Sequence, residues 1–467
     1  MQGVSWPNLR MIGSSVGLEF GGASFGDARL SKRLERIGAA LVERPEASFP
    51  EAMRSEGQLE GLYRFINNNK VCFDKIRAPH IEQTVARCRE QEDVLILHDT
   101  TSLEFSGDRE GLGRLETSAF GFFLHASLAV TLDRTPLGVL GAENLVRKGA
   151  KRKNRSKRGI RKDPNRESLR WGRAVEECEK ALDSPQHVIH IMDREGDNYD
   201  LISQLCNSNT RFIIRAAHNR CLVGETKKLR DLALNGKCRL KREVQVGRHV
   251  PFLEFKQKIH PEREARKVTL NISAISVELK RGNNFAPGSA SSLKMNIVTA
   301  IEAAPPAGRK AICWHLLTSE PIKTNKEVEK VIDAYRARWV VEELFKALKT
   351  GCRFERRQLE SFDSIENALA IFLPIACRIL ALRASSRSNP EFSCTALTEV
   401  QLLLLRHHTK RKMSKNPTNG EAFLALAELG GHLQRNGSPG WLVLGRAMDR
   451  LIILEDGYRT AKITQKM

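Results

Sequence analysis

Cysteine is scarce and scattered, ten in 467 residues with no Cys-x-x-Cys pair. Such spacing excludes a disulfide-stapled scaffold and the usual zinc ribbons and fingers, and it suits a reducing compartment. Long apolar runs are missing as well. The longest, Ala368 to Cys377, contains Pro374 and is closed by Arg378, whereas a bilayer span needs about 20 residues. The opening stretch MQGVSWPNLRMIGSS has no apolar segment of secretory-signal length. No Gly-x-x-x-x-Gly-Lys-Ser/Thr loop occurs, which argues against an ATP-driven motor or helicase. Aromatic residues are only 6% of the chain, so an aromatic lying among cations stands out.

What the chain has in abundance is positive charge. Lysine and arginine exceed aspartate and glutamate by 76 − 55 = 21. The apolar share of 41% is ordinary globular usage and excludes general disorder. A surplus of 21 cations on a folded chain points to a polyanionic partner, because Lys and Arg neutralise phosphates and release their counterions. One block is extreme: between Arg147 and Glu167, eleven Lys or Arg face only Asp163 and Glu167. Self-repulsion keeps such a block from folding alone, and it reads as a phosphate-binding arm that orders on DNA.

The organisation changes along the chain. Residues 27–44 place Leu30, Leu34, Ile37 and Leu41 at helical spacing, and a second helix is expected from about Glu51 to Ile66, stopped by Asn67-Asn68-Asn69. Residues 1–80 thus read as a small basic helical domain. Then come short β-branched runs: Val94 to Leu97 ending in His98-Asp99, Val188 to Met192 ending in Asp193, and Arg211 to Arg215. With helical stretches between them they predict an α/β sheet whose strand ends carry carboxylates. From 236 to 310 the period shifts to two, with turns at Asn283-Asn284 and Pro287-Gly288, which predicts an antiparallel β insertion. A long helix is expected over 325–349, and the chain is Leu-rich and helical after about 365, broken by a basic turn from Arg406 to Lys415.

The 325–349 segment carries the densest chemistry. Tyr335, Arg338, Glu342, Lys346 and Lys349 fall at offsets that share one face of a continuous α-helix. A carboxylate among cations, beside a phenol, suits work on a phosphodiester: acids hold a metal while cations hold the backbone. Asp99 and Asp193, at the ends of two apolar runs, are the acids able to join Glu342. Three carboxylates make a hard oxygen site suited to Mg²⁺ or Mn²⁺. Taken alone, each aspartate reads first as a strand-end cap on nearby backbone amides, and only the set of three points to a metal. His98 reads as a packing residue beside the first aspartate.

These residues resemble a known family. Tyr335-x-x-Arg338-x-x-x-Glu342-x-x-x-x-x-x-Lys349 is similar to the Tyr-Arg-Glu-Lys signature of DDE transposases in family four of the bacterial insertion sequences. His98-Asp99-Thr-Thr-Ser-Leu and Met192-Asp193-Arg-Glu-Gly-Asp resemble that family's two aspartate motifs, in the same order. The β insertion is similar to that of the group containing the transposase of the kanamycin-resistance composite transposon. Glu60-Gly61-Leu62-Tyr63-Arg64-Phe65-Ile66 resembles the family's N-terminal domain, and Pro439-Gly440-Trp441 its C-terminal helical region.

The resemblance implies a ribonuclease H-like core in which Asp99, Asp193 and Glu342 bind two Mg²⁺, with Mn²⁺ able to substitute. It implies that Tyr335, Arg338 and Lys349, with Lys346, contact the DNA end, that Arg215 joins them, and that Trp314 stacks on a flipped base during hairpin formation. It further implies a division into a DNA-end-binding domain (1–80), a core in two parts (81–235 and 311–370), the β insertion (236–310) and a helical dimerisation region (371–467). The partners it implies are double-stranded element ends and target DNA, joined by a homodimer with no membrane, in the bacterial cytoplasm at the nucleoid. Two other readings stay open at this point: a tyrosine-type recombinase using Tyr335 as nucleophile, and a non-catalytic DNA-binding regulator of transposition.

Overall fold

The β-branched runs become strands and the Leu-rich stretches become helices in a computed structural model, which describes residues 19–115, 119–147, 166–183, 187–246, 262, 264–282, 289–309, 311–388, 390–391, 393–394, 397–433, 435 and 438–464. In chain order the first elements are α1 (Ala28–Glu43), α2 (Phe49–Ala52), α3 (Glu56–Ile66), α4 (Phe73–Arg89), β1 (Val94–Phe105), β2 (Gly113–Arg114), β3 (Phe120–Thr131) and β4 (Pro136–Leu145). There follow α5 (Arg170–Leu182), β5 (Val188–Met192), α6 (Tyr199–Asn207), β6 (Arg211–Arg215), α7 (Leu229–Leu234), β7 (Leu240–Val246), β8 (Arg266–Lys280), β9 (Ser292–Glu302) and β10 (Cys313–Thr318). The last are α8 (Asn325–Ala337), α9 (Trp339–Lys346), α10 (Phe362–Ser388), α11 (Glu399–His408), α12 (Asn419–Leu429) and α13 (Trp441–Thr464). The chain divides into two compact units, one from 1–155, 173–185 and 339–467, the other from 156–172 and 186–338.

In the first unit β1 pairs antiparallel with β3 along its whole length, from Val94 opposite Thr131 to Phe105 opposite Phe120, and β4 pairs with β3 on its other side. The strand expected to stop at His98-Asp99 therefore runs on to Phe105. Thr100 and Thr101 are β-branched, and Leu103 and Phe105 alternate into the core, so nothing ends the extended backbone there. Strands β3 and β4 are absent from the sequence expectation because β3 is buried almost without alternation. Gly138 of β4 has φ +148°, and an added Cβ there would lie 2.0 Å from Thr84 Oγ1, so only glycine lets β4 close on α4.

The expected helix from Glu51 to Ile66 is two helices. Ser48 caps α2 and Ser55 caps α3, and each hydroxyl satisfies a first-turn amide that a single continuous helix would not leave open. Helix α10 packs against α3, α4 and β4 as the unit's central helix. By length and composition its Phe362–Ala384 stretch could cross a membrane, and 83% of its most apolar window is buried in the protein. The ten-residue apolar run read from the sequence is thus the middle of a core helix. Helices α11 to α13 form a small core of their own from Leu404, Leu405, Leu426, Met448 and Leu451.

Charge is also buried in this unit. Arg357 donates to the carbonyls of Pro45 and Cys352 at 2.8 and 2.7 Å and to that of Ala47, and Arg353 Nε lies 3.3 Å from Glu46 Oε2. Asp449 of α13 is crowded against Glu46. Burial first, then the Glu46 charge, pushes its carboxyl up to about 7.

In the second unit the order is β5-β6-β10-β9-β8-β7. Strands β5 and β6 are parallel, β10 is antiparallel to β6, and β7 to β10 form an antiparallel meander. The insertion expected at 236–310 thus continues the sheet edge begun by β6. Its turn residues Asn283, Asn284, Pro287 and Gly288 lie outside the described residues, as does the basic block from Lys148 to Asn165. At the ends of that block, Arg147 lies 4.3 Å above the Phe123 ring and Arg166 lies 3.5 Å from Asp200.

The long helix expected over 325–349 is interrupted. Helix α8 ends at Ala337 with Arg338 as its cap, α9 begins at Trp339, and Ala347–Gly351 form one π-helical turn closed by Cys352 N to Ala347 O at 2.8 Å. The five polar positions are therefore divided among two helices, the residue between them and a π-turn. Tyr335 and Arg338 belong to the second unit, and Glu342, Lys346 and Lys349 to the first.

Candidate active site

In the second unit, the five buried residues of β5 end at Asp193, which is half-buried and caps the short 3₁₀ turn that follows. Its Oδ1 accepts from Glu195 N at 2.8 Å. The capping role is thus real, and a carboxylate has a second oxygen to offer. The loop behind it is locked by Asp197, whose buried carboxylate pairs with Arg220 and accepts from Ala217 N and His218 N at 2.6 and 2.8 Å.

Around Asp193 the unit gathers cations and two aromatics. Tyr335 is 6% exposed, and its ring meets Trp314 edge-on at 5.6 Å and 64°. Burial raises the Tyr335 phenol, while Arg215, hydrogen-bonded to it, and Arg338 draw it partly back. Arg215, at the end of β6, also donates to Cys313 O at 3.3 Å. Asp333 holds α8 on the sheet through Arg242 of β7 at 2.8 Å.

Two further arginines belong to this group and were missed in the sequence. Burial lowers Arg194, and the like charges of Arg215 and Arg230 lower it further. His315 is pushed down to about 4 by burial and by Arg230, Arg215 and Arg194. Arg194 directly follows the second aspartate and was legible there as part of the motif. Arg230 lies outside every motif, and no sequence signal marks it.

The first unit carries the other two acids. Asp99 is half-buried, opposite Ala126 of β3, and its Oδ1 accepts from Thr100 N at 2.8 Å. Its neighbour His98 points to the opposite face of the strand, fully buried, 3.0 Å from Ser127 Oγ and stacked on His125. Helix α9 packs against β1 and holds half-buried Glu342 in its first turn. Lys346 is exposed and lies 5.3 Å over the Trp339 ring, itself 53% exposed. Lys349, on the π-turn, sits 3.4 Å from Glu355, which also accepts from Glu104 N at 2.9 Å. Among the described residues no group of three His, Cys, Asp or Glu is gathered tightly enough to hold a metal ion. The fit to a metal therefore rests on donor chemistry: Asp99, Asp193 and Glu342 offer hard oxygens only.

Residues 14–71 match the family described as Transposase DNA-binding, and residues 144–376 match the family described as Transposase DDE domain. The second match takes in Asp193, Trp314, Tyr335 and Glu342 and begins beyond Asp99. By its domain make-up the protein is a transposase with a DNA-binding domain and a ribonuclease H-like DDE core, a class of domain that uses divalent metal ions. Among solved structures it is similar to the piggyBac transposase in a synaptic complex with hairpin DNA, with 10% identity and a TM-score of 0.40, over 82% of this chain and 77% of that one.

Proposed function

We propose that this chain is a cut-and-paste transposase of insertion-sequence family four, in the group of the kanamycin-resistance composite transposon, with Asp99, Asp193 and Glu342 as its acidic triad. The observation that carries the reading is the collection of Asp193, Arg194, Arg215, Trp314, Tyr335 and Arg338 in one unit. An acid, several guanidiniums and a half-buried indole are what a cut DNA end requires.

The three carboxylates would hold two Mg²⁺, and ions bound there supply Lewis-acid polarisation of the scissile phosphate and of the attacking water. The protein's own part is to position. Arg215, Arg338 and Lys349 take the backbone phosphates next to the cut, with Lys346 on the outer side. Trp314, braced edge-on by Tyr335, receives a base turned out of the stack. That step costs a few kcal/mol and is the one a hairpin route needs. Tyr335 supports this division of labour as a buried phenol whose proton is held more tightly than usual. A side-chain nucleophile needs the reverse, which disfavours a tyrosine recombinase. The chain acts as a homodimer on two element ends and then on target DNA, in the bacterial cytoplasm at the nucleoid. Residues 1–80 bind the end sequence and the C-terminal helices dimerise.

The test is cleavage of a labelled duplex carrying the terminal repeats that flank this reading frame, with Mg²⁺, with EDTA and with Glu342→Gln. Metal-dependent nicking at the repeat boundary that Glu342→Gln abolishes, with DNA binding retained, is the expected result. Binding without cleavage in any metal would make the chain a regulator. Cleavage in EDTA that leaves protein attached to DNA would make it a recombinase.

A further inference from the structure

The basic turn between α11 and α12 is not accounted for by end binding, by the triad or by dimerisation. From Arg406 to Asn416 the sequence holds Arg406, Lys410, Arg411, Lys412 and Lys415, two histidines and no acid. The basic residues of the last turn of α11 (Arg406, His407 and His408) have an internal explanation, since such residues suit the negative end of the helix dipole. Lys410, Lys412 and Lys415 lie beyond that turn, all exposed.

The turn is built to hold one shape. Arg406 donates to the carbonyls of Ser414 and Lys415 at 3.1 and 3.0 Å, bracing the loop from inside. Lys410 N donates to Glu428 Oε1 at 2.9 Å, and Ser414 Oγ to Glu421 Oε2 at 2.9 Å. Pro417 O accepts from Cys394 N at 2.8 Å. The two neighbouring acids are thus committed to the loop's own amide and hydroxyl groups. Glu421 is also engaged by Thr418 N, and these bonds hold its carboxyl below the usual range. The lysine ammoniums are left facing water on a braced frame. Ordering entropy is already spent, so phosphate binding costs less there than on a loose chain.

From this geometry we infer that the 409–417 turn is a second DNA surface, taking the phosphate backbone of duplex DNA without regard to sequence. The inference rests on the transposase reading for the polymer it names. It supplies a hold on DNA remote in the chain from residues 14–71, suited to a stretch whose sequence the enzyme does not choose.

The test uses the full-length protein and fluorescence anisotropy on two duplexes, one with the terminal repeat and one scrambled, over a range of salt. Lys410→Gln, Lys412→Gln and Lys415→Gln are combined. A control combines Lys180→Gln, Lys237→Gln and Lys326→Gln, exposed lysines spread over other elements. Each phosphate contact contributes about 0.9 to the slope of log affinity against log salt. The turn variant is expected to weaken both duplexes alike and to lower the slope by about 2 to 3. The control is expected to keep the wild-type slope, and both variants the wild-type circular dichroism spectrum. An unchanged slope, a loss confined to the terminal repeat, or an equal loss in the control would overturn the inference. Repeat-end cleavage is measured in parallel. A wild-type chain that binds neither duplex overturns the transposase reading as well, whereas one that binds and cleaves while the turn variant keeps its slope overturns only this surface.

Discussion

Two clusters of acids and arginines in this protein behave in opposite ways. Around Glu46 and Asp449 the arginines are spent internally: Arg357 on three backbone carbonyls and Arg353 on Glu46. There the acids crowd each other, and Asp449 keeps its proton to about pH 7. Around Asp193 the cations do the crowding. Arg215 and Arg230 press on Arg194, and burial together with these three charges holds His315 neutral down to about pH 4. The first network closes on itself and fastens α13 to the rest of its unit. In the second, Arg194, Arg215 and Arg230 outnumber Asp193 even though Arg215 and Arg230 also reach backbone carbonyls, and such a surplus of charge is tolerated where anionic charge arrives from outside.

If the surplus belongs to DNA chemistry, the largest break comes from its one central acid. Asp193→Asn is expected to lower end cleavage by roughly 10³-fold or more, the scale on which one essential group is lost, while filter binding of the repeat duplex stays unchanged. Next, Trp314→Ala removes a base-stacking face worth about 1–3 kcal/mol. It is expected to leave the first nick intact and to cut hairpin formation about ten- to a hundredfold on a denaturing gel, and equal loss of both steps would sink the stacking role.

The two smaller effects lie in pH. The pKa of His315 is depressed on folding, so its contribution to stability is present above about pH 6.5 and is lost as pH falls towards 4. His315→Gln is expected to flatten that fall by on the order of 1–2 kcal/mol in urea titrations at pH 7 and pH 4.5. The pKa of Asp449 is raised, so its contribution is present below about pH 4 and is lost as pH climbs through 7. Asp449→Asn should raise the melting temperature at pH 8 and leave it nearly unchanged at pH 4, a gain of at least about 1 kcal/mol at the higher value. An equal gain at both values would show that the two acids do not compete for a proton.

How much of this was legible in the sequence depends on what surrounds each residue. Asp193 follows a run of five buried residues, four of them apolar, and both its strand and its place at the strand end were readable. Asp99 was readable as a residue but not as a position, because Thr100 and Thr101 look like a strand's polar end while extending it. The break at Arg338 left no sign, since Tyr335 to Lys349 contains neither proline nor glycine and keeps helical spacing throughout. Strand β3 was hidden by burial on both faces. Arg230 was hidden because its neighbours in space come from the turn after β5, the stretch after β6, and β10. Local patterns report the near neighbours of a residue, and charge surplus is a property of the far ones.

The π-turn at Ala347–Gly351 works as a length gauge. Its wide ring holds one residue more than an α-helical turn of the same rise would hold. Deleting Leu348, Thr350 or Gly351 would let the ladder close as ordinary α-helix and take the wide turn away. Lys349, carried on that turn, would be re-aimed relative to Glu355, which also holds the amide of Glu104. A single codon of length thus sets the direction in which one cation of the site points.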